Sequence, residues 1–347
     1  MNKKVRIGLI GAGRIGQLHG ENLVRSVPNA ELVSIAEPFL NDNIYEWAQR
    51  LGVKNCYKNA EDIFEDPSID AVFICSATDT HADYIIQAAE AGKHIFCEKP
   101  IHYDVVMIGK ALEAVKEAGV KLQVGFVRRF DHNHKVVHDT VASGKLGAPH
   151  IVKVTSRDPM PPSMDYVEGS GGLFMDMMIH DFDMVRYLSG SEVTEVTAYG
   201  DVLIDEKFKD YNDVDTTIVM LKFGNGALGV IDNSRKAGYG YDQRTEVHCA
   251  GGCVQVYNDL DNAATISTPE GVTSAKPMWF FLERYNHAFI SEEQAFIQSI
   301  IDNKETLVTG IDGLMPVLLA KAAELSLKEN RCVKISEIEQ RFLTVPF

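Results

Sequence analysis

The segment Gly11-Ala12-Gly13-Arg14-Ile15-Gly16 stands between an apolar run at 5–10 and a stretch with helical periodicity that opens at Ile15. Between a strand and a helix, a G-x-G-x-x-G segment constrains the fold more than any other feature of this chain, because each glycine answers a backbone demand. Gly11 permits a tight turn, Gly13 lets main chain approach a pyrophosphate, and Gly16 lets the helix lie close on the strand, with the helix N-terminus facing the phosphates. The next apolar run, 32–36, ends at Glu37, 21 residues after Gly16, where a carboxylate can bind the ribose 2′-hydroxyl of an adenine dinucleotide. A 2′-phosphate there would meet like charge, and 36–43 contains no Arg or Lys to offset it. The cofactor expected is therefore NAD rather than NADP.

From the start to about residue 125, β-rich runs alternate with helical patterns. The run 5–10 precedes the helix from Ile15, 32–36 precedes 41–51, 71–75 precedes a helix through Tyr84, Ile85, Ala88 and Ala89, and 94–97 precedes 104–118. This alternation predicts a parallel sheet wrapped by right-handed crossovers, and strands apolar throughout fit a sheet covered on both faces. After 121–127 the texture changes. Helical stretches at 133–143 and 173–188 bracket a strand at 151–156. Strand-like segments follow at 195–199, 216–223, 227–234, 245–250, 253–257 and 263–267. Gly224-Asn225-Gly226 and Gly251-Gly252 separate some of them, which predicts hairpins and a mostly antiparallel sheet. Its outer face is expected to carry Val219, Leu221, Leu228 and Val230, to be covered by a second copy of the chain. Two more helices, 285–302 and 312–328, close the pattern. At 347 residues the chain exceeds the roughly 150 of one domain. The expected architecture is an α/β Rossmann domain at 1–125 and an α+β domain at 126–347.

Charge narrows the partners. The 34 Lys plus Arg against 49 Asp plus Glu give a formal charge of −15, which repels phosphate backbones and anionic lipid faces over most of the surface. Neither nucleic acid nor membrane is expected as a partner. The apolar stretches 71–75 and 218–221 are far shorter than the roughly 20 residues that span a bilayer. Lys3 and Lys4 before an apolar run open like a signal peptide, but Gly11, Gly13 and Arg14 interrupt the run and no small-residue cleavage site follows. The segment reads as the first strand of a cytoplasmic protein. Six cysteines (Cys56, Cys75, Cys97, Cys249, Cys253 and Cys332) lack paired short spacings, which fits a reducing compartment. Cys249 and Cys253 flank Gly251 and Gly252 with no second Cys/His pair nearby, which favours hairpin packing, and no metal is expected.

Two segments carry candidate chemistry. Cys97-Glu98-Lys99-Pro100 falls at the end of a predicted parallel strand, the edge where open α/β sheets bind ligands. Asp176 and His180 lie four apart in a predicted helix, so that both project from one face. A carboxylate beside an imidazole fixes its tautomer and raises its basicity, which suits His180 to general-base work. Taken singly, a surface Asp176–His180 pair and a solvated Lys99 are the better readings of these residues.

The ordered set of motifs resembles the glucose-fructose oxidoreductase and inositol dehydrogenase family over nearly the whole chain. It comprises Gly11 to Gly16 followed by His19, Ser76-Ala77-Thr78 with His81, Ala91-Gly92-Lys93-His94 leading into Glu98-Lys99-Pro100, Gln123-Val124-Gly125-Phe126, and Gly171-Gly172 preceding Asp176 and His180-Asp181. The resemblance implies a Rossmann domain, an open-faced sheet domain used for substrate binding and for dimer or tetramer contacts, and NAD(P)-dependent oxidation of a secondary alcohol. It also implies cofactor contacts from Gly11, Gly13, Arg14, Ile15, Gly16, Glu37, Ser76, Thr78, His81, Glu98 and Gln123. Within the family, 126–131, Gly171-Gly172 and 238–244 are similar to the inositol dehydrogenase branch, and their cations, phenols and carboxylates suit a polyol. At Ser156-Arg157-Asp158-Pro159 the chain departs from the His-Arg-Asn-Pro segment frequent in that branch, losing an imidazole and gaining a carboxylate.

These readings combine into an expected reaction. His180 takes the proton of a substrate hydroxyl, Asp176 orients the imidazole, and Lys99 stabilises negative charge developing on oxygen, while NAD supplies the redox chemistry. Lys99, Asp176 and His180, with Arg129, Asp158 and Tyr241, are the candidate substrate contacts. The alternatives are a dehydrogenase for another sugar or sugar acid, and an NAD-bound sensor with a retired active site.

Overall fold

The computed structural model describes residues 4–342, so Lys3 lies outside the described residues. The chain forms two compact units: Met1–Val127 with Ala288–Met315, and Arg128–His287 with Pro316–Phe347. A single boundary near residue 125 does not anticipate the return of Ala288–Met315 to the first unit.

In the first unit, β1 (Val5–Ile10), β2 (Ala30–Ala36), β3 (Asn55–Tyr57), β4 (Ala71–Ile74), β5 (His94–Glu98) and β6 (Leu122–Gly125) form one sheet in the order β3-β2-β1-β4-β5-β6. Its pairings are all parallel. The helices α1 (Arg14–Arg25), α2 (Asp42–Arg50), α3 (Glu61–Phe64), α4 (Thr78–Glu90) and α5 (Val105–Ala118) supply the crossovers. Helix α1 buries Gly16, His19, Gly20 and Leu23, the helical period that lays one face on the sheet. Asn41 caps α2 by accepting from Ile44 N at 3.2 Å, and Asp104 caps α5 by accepting from Val106 N at 2.8 Å. Ile7, Leu9, Ile35, Phe73 and Phe96 are fully enclosed, each worth about 1.5–3 kcal/mol of burial. Strand order reverses between β1 and β4, so the C-terminal ends of these strands border the crevice where such sheets bind ligands.

In the second unit, α6 (His132–Ala142) precedes β7 (Pro149–Arg157). Three short helices follow, α7 (Met164–Ser170), α8 (Gly172–Asp176) and α9 (Ile179–Ser189), and then the strands β8 (Val193–Asp201), β9 (Thr216–Phe223), β10 (Leu228–Ser234), β11 (Asp242–Cys249) and β12 (Gly252–Val256). The small hairpin β13 (Thr265–Thr268) and β14 (Gly271–Ser274) forms a sheet of its own, and α10 (Phe281–Arg284) follows it. Helix α11 (Asn286–Ile301) and the start of α12 (Gly310–Glu329) lie in the stretch that rejoins the first unit, and β15 (Val333–Lys334) and α13 (Ile335–Phe342) complete the second. The large sheet runs β12-β11-β7-β10-β9-β8-β15. Its pairings are antiparallel apart from β7 with β10, which is the mostly antiparallel sheet expected.

Two local expectations are corrected. The predicted helix 173–188 is broken at Met177 and Met178, because both their amides reach Leu173 O, at 3.1 and 2.9 Å, which interrupts the regular ladder between α8 and α9. In β9, Val219 and Leu221 face the core, and Ile218 and Met220 are exposed on the face that also carries Leu228 of β10. Both faces of β9 are apolar, so its alternation alone does not say which face is covered.

Candidate active site

The glycine loop is built for a ligand. Gly11 has φ +92°, and a Cβ there would stand 2.6 Å from Cys75 O, while a Cβ on Gly16 would collide with Gly11 O. Around Gly13, by contrast, a Cβ would meet nothing within 4 Å, which leaves open the side a pyrophosphate would approach. Helix α1 begins there with no capping side chain and no acidic residue in its first turn, so its amides present positive ends to an anion. Arg14 is exposed and Ile15 half-buried at that first turn. Beside the loop, Glu37 accepts from Ala12 N at 2.7 Å and from Phe39 N at 3.0 Å, which fixes its carboxylate at the end of β2. These residues fit a dinucleotide.

The other candidate cofactor residues divide by accessibility. Ser76 and Thr78 are half-buried where β4 passes into α4, and Ser76 Oγ shares a 2.7 Å hydrogen bond with Thr80 Oγ1. His81 is buried, with Nδ1 2.8 Å from Pro100 O and Nε2 3.0 Å from Ser76 O. Both ring nitrogens are thus engaged with main chain, and His81 ties the β4 turn to the Lys99–Pro100 turn. Gln123 is wholly enclosed and donates to Glu292 O at 2.9 Å, so its amide holds α11. Glu98 ends β5 and Lys99 follows it, both half-buried, and Lys99 N donates to Glu98 Oε2 at 3.3 Å. Glu98 Oε1 lies 2.8 Å from His19 Nε2.

In the second unit, Gly172 has φ +80°, and a Cβ there would crowd Asp213 Oδ1, which caps α8 by accepting from Leu173 N at 2.9 Å. That turn sets Asp176 at the end of α8, and His180 follows as the second residue of α9. Asp176 accepts from Tyr166 Oη at 2.8 Å and from Arg235 Nη1 at 3.2 Å. Arg235 is 1% exposed, so the carboxylate is fixed by a buried cation as well as a phenol. Asp158 faces the same arginine, yet burial dominates and pushes its pKa up to about 6. Arg128 donates to the enclosed Asp181, which also accepts from Asn233 Nδ2 at 2.8 Å. A second Arg128 nitrogen is 3.4 Å from Tyr241 Oη. Burial pushes the Tyr241 phenol well above its ordinary range, so it stays a neutral hydrogen-bonding group. Arg129 is turned to Asp183, donating through Nε at 2.9 Å and Nη2 at 2.6 Å, and lies over the Tyr187 ring.

Asp158, Asp176 and Tyr241 are thus gathered around Arg128 and Arg235, and Arg129 is held by a different carboxylate. Sequence reasoning missed Arg235, Tyr166 and Glu293. A lone Arg after β10, a Tyr before the glycine pair and a Glu in a C-terminal helix carry no motif that would single them out.

Residues 5–126 match the family described as the oxidoreductase family with an NAD-binding Rossmann fold, and 134–255 match the GFO/IDH/MocA C-terminal domain. A protein of Thermotoga maritima named myo-inositol 2-dehydrogenase is 45% identical, covering 96% of this chain and 99% of its own. The inositol 2-dehydrogenase of Rhizobium meliloti is 42% identical over 96% of this chain and 99% of its own. Among solved structures, scyllo-inositol dehydrogenase from Lactobacillus casei with bound NAD(H) and scyllo-inositol superposes with a TM-score of 0.89 at 31% identity, covering 96% of this chain and 100% of the other. With a glycine loop shaped for a dinucleotide in one unit, a mixed open sheet in the other, and matches that run from end to end, this chain belongs to the GFO/IDH/MocA oxidoreductase family.

Proposed function

We propose that the protein oxidises one secondary hydroxyl of an inositol to the ketone, an inosose, with NAD. The observation that carries this reading is the end-to-end similarity to the Thermotoga maritima protein named myo-inositol 2-dehydrogenase, in a chain that holds Lys99, Asp176 and His180. myo-Inositol is the first substrate to test. The scyllo isomer is the second, because Asp158 places a carboxyl where an amide of the same volume would bind the ring hydroxyls differently.

Gly11, Gly13, Arg14, Ile15, Gly16 and Glu37 would hold the cofactor, with Ser76, Thr78 and Glu98 at the neighbouring strand ends. Bound NAD supplies the acceptor for the carbon-bound hydrogen and its electron pair. The second hydrogen leaves the alcohol oxygen as a proton, and His180 takes it. Asp176, braced by Tyr166 and Arg235, orients the imidazole. Lys99 stabilises the negative charge that grows on oxygen as the proton departs. Asp158 and Tyr241 offer hydrogen bonds to the remaining hydroxyls, and Arg129 is the weakest of these contacts because Asp183 already occupies its guanidinium.

The exposed Tyr199, Ile218, Met220 and Leu228 on the large sheet form an apolar face, and a second copy of the chain covers it in a homo-oligomer, with a tetramer as the assembled form. Among the described residues no helix is long and apolar enough to cross a membrane. The six free cysteines suit the reducing cytoplasm, where we place the protein.

The test is NADH formation over a panel of inositols, glucose, xylose and sugar acids. A kcat/KM for an inositol at least about tenfold above every sugar is the result expected, since a site built to hydrogen-bond many hydroxyls discriminates strongly against ligands that leave its groups unpaired. A sugar acid turned over faster than any inositol would move the assignment to that substrate class.

A further inference from the structure

Helix α11 carries two glutamates into the first unit, and with His19 of α1 and Glu98 of β5 they form a buried ionisable cluster that the reaction above does not use. The His19 ring is wholly enclosed, with Nδ1 2.7 Å from Glu293 Oε1 and Nε2 2.8 Å from Glu98 Oε1. Phe73, Phe96 and Phe289 surround it, at centroid distances of 5.8, 5.1 and 5.6 Å. With a carboxylate at each nitrogen, only an imidazolium donates to both. Burial opposes that charge, but the hydrogen bonds to Glu293 and Glu98 outweigh it and hold the ring's pKa up at about 10.

Burial acts on the remaining ionisable neighbours as well. Burial raises the thiols of Cys75, after β4, and Cys97, on β5, well above their ordinary range. Glu292 is fully enclosed, neither of its carboxyl oxygens has a hydrogen-bond partner among the described residues, and burial drives its pKa well up. Burial raises the Glu293 carboxyl too, opposed by its hydrogen bond with His19 and the charge of that ring, so the imidazolium lies between Glu293 and Glu98 with the unpartnered Glu292 beside them. His19, Glu98 and Glu292 also have ligand atoms within 4.8 Å of one another, the spacing of a metal site. An imidazolium has no lone pair to offer a cation, so while His19 is charged that site is closed.

Glu98 transmits the arrangement. Its Oε2 accepts from Lys99 N, and its carboxyl fills the space a Cβ on Gly125 would need, at 3.0 Å. We propose that His19, held by Glu293, is a positioning residue that fixes the Glu98 carboxylate and through it the Lys99 turn at the end of β5. This rests on the reading of Lys99 as a catalytic group.

The test is the titration of the histidine rings in the full chain by nitrogen-15 NMR, for the wild type, Glu293→Gln and Glu293→Asp, beside the pH profile of kcat in the same proteins. The kcat arm uses whichever alcohol of the substrate panel turns over, so a failed inositol assignment leaves it intact, and the NMR arm needs no substrate. In the wild type one ring is expected to stay doubly protonated above about pH 9, and in Glu293→Gln that signal is lost at the same pH. An adjacent opposite charge is worth about one to three pKa units, so the Glu293→Gln midpoint should fall to about 8 and its kcat relative to wild type should drop about tenfold between about pH 7 and 9. Glu293→Asp, which keeps the charge, should restore most of both. A purely structural Glu293 would lower the melting temperature and leave the pH profile in place. A neutral His19 in the wild type at about pH 8, one equivalent of tightly held transition metal, or superimposable pH profiles for wild type and Glu293→Gln would each overturn the proposal.

Discussion

Replacing Glu37 with serine and Pro38 with arginine perturbs the cofactor site where its geometry is most constrained. The Glu37 carboxylate is 9% exposed and accepts from Ala12 N at 2.7 Å and Phe39 N at 3.0 Å, so it both sets the charge at the end of β2 and braces the glycine loop. A carboxylate and one unit of phosphate charge about 4 Å apart repel by about 4 kcal/mol at an effective dielectric of about 20. Screening and rearrangement reduce this to about 2–3 kcal/mol, a discrimination of roughly 30- to 150-fold against NADP. Removing the carboxylate lifts the repulsion and the introduced guanidinium adds an attraction, so kcat/KM for NADP should rise about 100-fold. The effect on NAD has the opposite sign. Hydrogen bonds to a charged acceptor contribute about 1.5–3 kcal/mol each, and serine with water replaces only part of two of them, so kcat/KM for NAD should fall about tenfold. Glu37→Gln separates the two effects, because it keeps an acceptor of the same shape and removes the charge. Initial rates with each cofactor read the outcome. If the unmodified protein uses NADP at least as efficiently as NAD, or Glu37→Gln gains nothing with NADP, the role given to Glu37 is wrong.

His180→Ala and Lys99→Ala are each expected to lower kcat by about two to four orders of magnitude with NAD affinity nearly unchanged, and the Asp176→Asn loss should overlap with that of His180→Ala; additive losses in the double mutant would show that they form no unit. Asp131→Ala removes the cap of α6 and the 2.6 and 3.0 Å pair with buried Arg284, leaving that arginine Asp259 at 3.2 Å and the face of the Tyr285 ring. Urea unfolding should report a loss of about 3–5 kcal/mol, and a loss below about 1 would mean that Asp259 replaces the pair. For Asp158, burial raises the folded pKa to about 6, so the folded state holds this proton more tightly and the associated stability is present at low pH and lost as pH rises from about 4 through about 6. Asp158→Asn should therefore gain up to about 3 kcal/mol over wild type at pH 7.5 and nothing at pH 4, and an equal gain at both would refute the assignment. Ile218→Asp with Leu228→Asp should convert the oligomer to monomers in light scattering, and a wild type already monomeric at micromolar concentration would remove the basis for that interface.

The Rossmann unit was legible in the sequence because its constraints are local. Gly11, Gly13 and Gly16 each answer a backbone demand within a few residues, and Glu37 follows at a distance fixed by one helix and one strand. The hairpins at Gly224-Asn225-Gly226 and Gly251-Gly252 were readable for the same reason. The candidate catalytic side chains were legible as types, Lys99 at a strand end and Asp176 near His180, but their environment was not. Arg235 is 59 positions from Asp176 and Glu293 is 274 positions from His19, and no local period connects such pairs. Where both faces of an element are apolar, as in β9, the covered face is chosen by what packs on it. The break at Met177 and Met178 likewise arises from amides that share one carbonyl in a turn set by Gly172 and Asp213, a choice invisible to a pattern of apolar spacing. The return of Ala288–Met315 to the first unit is of the same kind. By itself the sequence determined which backbone turns and residue chemistries are present. Only the tertiary structure decided which charges meet in the interior, because burying a charge is tolerable only beside a partner, and such partners come from wherever in the chain the fold delivers them.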